Sequence, residues 1–162
     1  MKYVLGLLIC VASTITYGQH VIEMNEDAID MKILTWHYDR YQGSTSANWF
    51  VKAQDGIGYV HVEFSHNNSN FEAIYNEEGQ ILAEKEFIAE DKIPQPVIQL
   101  LDYRIVKYKI DSFSKESEFE SRQPSLINYR VQAKVKSGGV VVFWFDQDFN
   151  LIPENRDEIA IR

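Results

Sequence analysis

Two stretches of this chain, YNEEGQIL (Tyr75–Leu82) and FDQDFNLI (Phe145–Ile152), write one pattern seventy residues apart: an aromatic, an amide or acid, a polar residue, an acid, and a closing aliphatic pair. Each follows a segment in which apolar residues recur at every second position. Val60, Val62 and Phe64 do so before the first copy, and Tyr129, Val131, Ala133 and Val135 before the second. A period of two belongs to half-buried strands. Both copies therefore read as tight reversals between antiparallel strands, polar because the chain turns in water. Gly79 stands where such a corner wants positive φ, and its counterpart is Phe149.

Working outward from the first copy, a helix is predicted over Asn25–Gln42. Asn25 can cap it, Glu26 and Asp27 suit its positive end, and Ile29, Ile33, Leu34, Trp36 and His37 recur at helical spacing. Strands are predicted over Asn48–Gln54, Tyr59–Ser65, Phe71–Tyr75 and Ile81–Phe87, with Asp55-Gly56 as the first hairpin. The second copy lies in a similar series. Pro94 suits the first turn of a short helix carrying Val97, Ile98, Leu100 and Leu101. Ile105–Phe113, Leu126–Val135 and Val140–Phe145 are extended, with Gly138-Gly139 as a turn. Between the first two of these, Ser114–Ser125 reads as a polar loop longer than an ordinary hairpin connection. The recurring order, one helix and then strands, predicts an internal duplication with units at 19–90 and 91–162.

At 162 residues the chain can bury a core as one domain or as two small units sharing a sheet. Its 45% hydrophobic and 25% charged residues are the balance of a folded protein. Residues 1–18 read as a signal peptide: Lys2, the apolar run Tyr3–Val11, and small residues around Thr16-Tyr17-Gly18. The run is too short to span a bilayer, so the mature chain is expected to be exported, periplasmic or extracellular, and not membrane-spanning. Cys10, the only cysteine, would leave with the signal, and Ile9 replaces the small residue a lipoprotein site needs. The mature chain then has no disulfide, no thiolate ligand and no cysteine nucleophile. Without Lys2, fifteen basic residues face twenty-four acidic ones, a net charge of −9 with histidine neutral. Such a surface repels phosphate backbones, which excludes nucleic acid as the expected partner.

These features resemble the PepSY-like proteins related in fold to the beta-lactamase inhibitory proteins. The residues that carry the resemblance are Tyr75-Asn76-Glu77-Glu78-Gly79, Phe145-Asp146-Gln147-Asp148-Phe149, and the joining helix start Ile93-Pro94-Gln95-Pro96-Val97. Phe149 in place of glycine, and a first helix without a proline start, depart from the pattern. The resemblance implies an α+β fold: two tandem helix-plus-four-strand units forming one largely antiparallel sheet, with helices on one face and the other face open. It implies no particular activity.

The chemistry-bearing constellations are sparse. Asp146, Asp148 and Asn150 have the spacing that opens a calcium loop, but Leu151 holds the place of the required glycine, and the first copy puts Asn76, Glu78 and Gln80 at the same places in a hairpin. His61, Glu63 and His66 lie close in sequence, with His61 and Glu63 on one strand face, but a turn follows His66. No nucleophile elbow, phosphate-binding glycine loop or His-Glu-x-x-His motif occurs, and no cofactor is expected. Asn67-Asn68-Ser69 forms a sequon that matters only in a eukaryotic secretory route.

Two features point to recognition instead. In Val140–Phe145 the alternation puts Val141, Phe143 and Phe145 on one face and Val140, Val142 and Trp144 on the other; either Trp144 or Phe143 is the outward aromatic. With Trp144 outward, its neighbours are Arg130, Gln132 and Lys134, on the face that holds Glu72 and Ile74 in the first unit. Aromatic and arginine side chains are common interface anchors. The second feature is Phe119, apolar within the polar segment Ser114–Ser125. The expected function is a non-enzymatic protein- or peptide-binding module whose partner is an envelope or extracellular protein or peptide. The alternative is a small-ligand or cation-binding periplasmic module using the acidic hairpin tips.

Overall fold

The computed structural model describes residues 21–153 apart from 55–56, 121–122 and 137. The expected signal peptide and the Asp55-Gly56 corner lie outside the described residues. Among the described residues nine strands form one antiparallel sheet in plain chain order: β1 (Val21–Met24), β2 (Thr45–Gln54), β3 (Ile57–His66), β4 (Ser69–Tyr75), β5 (Ile81–Phe87), β6 (Tyr108–Glu120), β7 (Gln123–Val135), β8 (Val140–Phe145) and β9 (Leu151–Ile152). Helix α1 (Met31–Arg40) stands between β1 and β2, and α2 (Gln95–Arg104) between β5 and β6. The fold is α+β with the sheet dominant. Among the described residues no helix is long and apolar enough to cross a membrane.

The helix predicted from Asn25 divides in two. Glu26–Ala28 form a 3-10 turn, Ile29 is extended (φ −83°, ψ 139°), and α1 begins afresh at Met31. Asn25 makes no side-chain cap; Asp30 does, accepting the Lys32 N–H at 2.8 Å. The break lets Ile29 drop into the core while Ile33 and His37 of α1 are also buried. A 3-10 turn, Glu90–Lys92, likewise precedes α2, which starts after Pro94. Strand β1 had no sequence signal, and it pairs with β2 from Val21↔Lys52 to Met24↔Trp49.

The two quoted stretches are the same turn. Asn76 Oδ1 accepts the N–H groups of Glu78 and Gln80, and Asp146 Oδ1 accepts those of Asp148 and Asn150. The Gly79 N–H donates to the Asn76 carbonyl and the Phe149 N–H to the Asp146 carbonyl, each at 3.1 Å. Both fifth residues are left-handed, Gly79 at φ +80° and Phe149 at +61°. The copies differ because their surroundings do. A Cβ on Gly79 would lie 3.1 Å from Lys32 Cβ of α1, whereas the Phe149 ring packs on Tyr129 with centroids 4.7 Å apart. Contact with its neighbour offsets the cost of left-handed backbone at Phe149.

The segment Ser114–Ser125 is not the expected loop over its described residues, 114–120 and 123–125. It is the far half of a long ribbon, β6 and β7, and β6 also pairs with β5 from Ala83↔Glu118 to Phe87↔Ser114. Serine, lysine and glutamate have little preference for strands, and here the partner strands on both sides impose the extended backbone. Phe119 accordingly is no surface residue. It is 8% exposed and packs in the core of the first half, with the Arg40 guanidinium 4.9 Å above its ring.

Directly opposed residues of antiparallel neighbours share a face, so the register sorts every side chain. On one face Ile29 and Ile33 pack with Trp49, Val62, Phe64, Ala73, Tyr75, Ile81 and Phe119. On the same face Val97 and Leu101 of α2 pack with Phe113, Val131 and Phe145. Glu84, Glu86, Lys115 and Ser117 occupy that face between these clusters. Here Arg40 pairs with Glu84 at 3.2 Å, and the Tyr41 hydroxyl donates to the same carboxylate. Burial and the Glu84 charge push the Tyr41 phenol up. At the centre of the first cluster His37 is fully buried among Tyr41, Trp49 and Phe64, its Nδ1 2.9 Å from the Tyr75 hydroxyl.

Candidate functional site

Among the described residues the opposite face carries no helix, and the register assigns its side chains strand by strand. Phe50 and Lys52 of β2 oppose His61 and Tyr59 of β3; Ile74 and Glu72 of β4 oppose Ala83 and Lys85 of β5; Glu116 of β6 opposes Lys85 and Asn128; Arg130, Gln132 and Lys134 of β7 oppose Trp144, Val142 and Val140 of β8. Trp144 is thus on the open face and Phe143 on the helix face. The reason is the register of β7 with β8: Tyr129 and Val131, bound for the core, oppose Phe145 and Phe143.

The open face divides into two zones. Across β2 to β6 both lysines are paired: Lys52 lies 3.8 Å from Glu72, and Lys85 lies 3.3 Å from Glu116, which also accepts the Ser114 hydroxyl at 3.1 Å, while Glu63 and Glu118 leave the zone acidic. His61, only 5% exposed, stacks on Phe50 at 5.3 Å, with its Nδ1 3.5 Å from Glu72. Burial would raise the Glu72 pKa, but His61, Lys52 and Lys85 together hold it below the usual carboxylate range. Glu72 is therefore a member of an internal ion network. It sits four strands from Trp144, about 19 Å at the usual strand spacing, so the two do not form one site.

The second zone spans β6 to β9. The Arg130 guanidinium stands 5.7 Å from the Trp144 ring centroid, and Ile152 of β9 opposes Trp144 on the other side. Arg130 Nη2 donates to Gln132 Oε1 at 3.1 Å, and Gln132 Nε2 donates to Asp111 Oδ2 at 2.8 Å; Lys134 Nζ pairs with the other Asp111 oxygen. Lys134 and Gln132 hold the Asp111 carboxyl below its ordinary value. Sequence reasoning brought Trp144, Arg130, Gln132 and Lys134 together but missed Asp111. The bulge between Ile110 and Ser112 displaces it from simple alternation, although its phase with Lys109 was a usable signal. Half-buried Trp144, beside a guanidinium fixed by a chain of side-chain bonds, offers a flat aromatic face with a cationic rim. The arrangement suits non-covalent contact with an apolar or acidic group.

The acidic hairpin tips are built differently. Asp146 accepts two backbone N–H groups and the Asn150 side-chain amide at 3.0 Å through Oδ2, and these bonds to Asn150 and Asp148 lower its pKa. Its oxygens serve the turn. The Asn76 side-chain oxygen is spent in the same way. Among the described residues, no three His, Cys, Asp or Glu side chains converge as metal ligands.

Among the described residues, one antiparallel sheet with helices on one face and a patterned second face makes an α+β protein with the sheet dominant. The solved structures it resembles carry that description further. It superposes on a DUF2874 family protein from Bacteroides uniformis with a TM-score of 0.63 at 10% identity, over 77% of this chain and 87% of that one. A DUF2874 family protein from Bacteroides ovatus gives 0.60 at 13% identity, over 76% and 84%. A BLIP-like protein from Bacteroides fragilis also gives 0.60 at 13%, over 81% and 91%. At such identities the likeness concerns the fold alone, which is that of the BLIP-like protein. No protein-family model matches the chain, and no curated protein does.

Proposed function

We propose that this is an exported, non-enzymatic module that binds another protein or an extended peptide through the open face of its sheet. The observation that carries the reading is Trp144, held beside Arg130 on the face that no helix among the described residues covers. Lys134 and Gln132, tied to Asp111, form the polar margin. In the zone from β2 to β6 the lysines are already paired and Glu63 and Glu118 add negative charge, which leaves the β7–β8 end as the cationic contact surface. A partner that seals Trp144 from water gains the transfer energy of a large aromatic and strengthens its cation contact. Export to the periplasm or beyond is supported by the signal-like residues 1–18. The BLIP-like fold agrees with the reading but supplies no partner.

We further read the chain as two tandem PepSY-like units, 19–90 and 91–162. The identical Asn76 and Asp146 turns and the 3-10 turn before each helix support this duplication.

The test is affinity capture from an envelope fraction with the mature chain, repeated with Trp144→Ala and Arg130→Ala. A specific partner should be lost with either variant, at a cost of about 2 kcal/mol or more for an anchor residue, and retained by Gln147→Ala at an exposed hairpin tip. A partner held equally by Trp144→Ala removes this face from consideration.

A further inference from the structure

Charge is divided unequally between the halves of the chain. Residues 19–90 hold four basic and thirteen acidic side chains, whereas residues 91–162 hold eleven of each. Within the second half the cations gather at one end of the sheet. Arg104 closes α2, Lys107 precedes β6 and Lys109 is its second residue, and Lys136 follows β7; the Lys136 N–H donates to the Lys107 carbonyl at 3.1 Å. Neither 103–110 nor 133–145 contains an acidic residue. Of the bordering carboxylates, Asp111 is engaged by Lys134 and Gln132, and Asp102 accepts the Tyr108 hydroxyl at 2.8 Å. Among the described residues, Lys107 and Lys136 have no ion-pair partner.

The same end carries the two most exposed large apolar side chains among the described residues, Val106 at 95% and Tyr103 at 84%, and Val140, opposite Lys134, is 52% exposed. The Arg104 guanidinium lies 5.9 Å from the Tyr103 ring. These groups project from the end of the fold. A rigid protein would need a pocket for each of them, whereas a headgroup layer deforms around projecting tyrosine and valine.

We propose that this end of the molecule docks on a bilayer bearing anionic headgroups. Lys107, Lys109, Lys136 and Arg104 supply the electrostatic attraction, and Tyr103 and Val106 enter the interfacial layer. Repulsion of the acidic first half from the same surface fixes the orientation, cationic end down. The proposal is independent of the open-face reading, since neither Trp144 nor Arg130 takes part.

The test is sedimentation of the whole chain with vesicles of equal parts phosphatidylcholine and phosphatidylglycerol, with vesicles of phosphatidylcholine alone, and a parallel titration with soluble polyglutamate. Binding is expected to the anionic vesicles only, falling about tenfold or more when salt shortens the Debye length to about 3 Å. Lys107→Glu combined with Lys136→Glu should weaken it by about a hundredfold or more. Tyr103→Ser with Val106→Ser should weaken it by about tenfold while keeping the salt dependence. All four positions are on the surface, and circular dichroism checks the fold; if the charge reversal unfolds the chain, Lys107→Gln with Lys136→Gln replaces it, with an expected loss of about tenfold. Absence of vesicle binding, equal binding to the neutral vesicles, or undiminished binding by either pair overturns the proposal. Binding to polyglutamate alone also does so, and assigns this end to an acidic protein instead.

Discussion

Replacing Phe119 by alanine separates a strand seated in a core from a polar loop. Phe119 is 8% exposed and packs against a cluster built mainly from the first half of the chain, although it belongs to β6 of the second. Truncating a buried phenylalanine costs about 3–5 kcal/mol, and its place next to the end of β6 puts this case near the lower limit. The Arg40 guanidinium 4.9 Å above the ring loses a contact worth about 0.5–1 kcal/mol. The expected cost is therefore about 3–4 kcal/mol, a large share of the roughly 5–15 kcal/mol that stabilises a domain. In urea, followed by circular dichroism and tryptophan fluorescence, the midpoint should fall at unchanged slope. The melting temperature should drop by about 10 °C. Phe119→Leu, which keeps most of the volume, should lose only about 1 kcal/mol. A cost below about 0.5 kcal/mol for the alanine variant, the usual figure for an exposed position, would refute the placement of Phe119 and with it the docking of β6 on the first core.

Three further outcomes follow from the same geometry. Burial holds His37 at about 4, well below its ordinary 6.5, against the opposing pull of Glu26. The folded state therefore resists protonation: its stability is fully present above pH 6.5 and is lost as pH falls from there towards 4. The gap corresponds to about 3 kcal/mol, which solvent screening near the cluster reduces to about 2; His37→Phe should flatten that part of a stability-against-pH curve measured by urea titration, and an unchanged curve counts against the assignment. Gly79→Ala should cost about 2 kcal/mol, since φ is +80° and the new Cβ meets Lys32 at 3.1 Å, whereas Phe149→Ala keeps its left-handed backbone but loses the Tyr129 contact, a smaller change of about 1 kcal/mol in the same melts. Trp144→Ala should lower stability by about 1 kcal/mol or less, because it removes a half-buried ring from the sheet surface; a loss above about 3 kcal/mol would make it a core residue.

Much of the fold was legible because its instructions are short-ranged. The Asn76 and Asp146 turns are made of bonds spanning two to four residues, so the quoted stretches alone contain them. The strands at Tyr59–Ser65 and Leu126–Val135 announce themselves by alternation, since one of their faces is buried and the other is not. The candidate site was half legible: Arg130, Gln132 and Lys134 share a face by their spacing within β7. Glu72 shares that face too, but distance along the sheet removes it from the Trp144 zone, and no spacing within one strand encodes how many strands intervene.

By itself, then, the sequence determined the two acidic corners and the strands whose apolar and polar residues alternate, because each depends on residues a few positions apart. Tertiary structure alone decided three things. It placed Trp144 outward and Phe143 inward through the register of β7 with β8. It extended residues 114–120 and 123–125 into strands, since Ser114 gains its partner Phe87 from twenty-seven residues away. It buried Phe119 beneath Arg40, joining the second half of the chain to the core of the first. Pairing and burial of this kind arise from surfaces meeting in space, and a polar composition carries no local trace of the strand that will lie beside it.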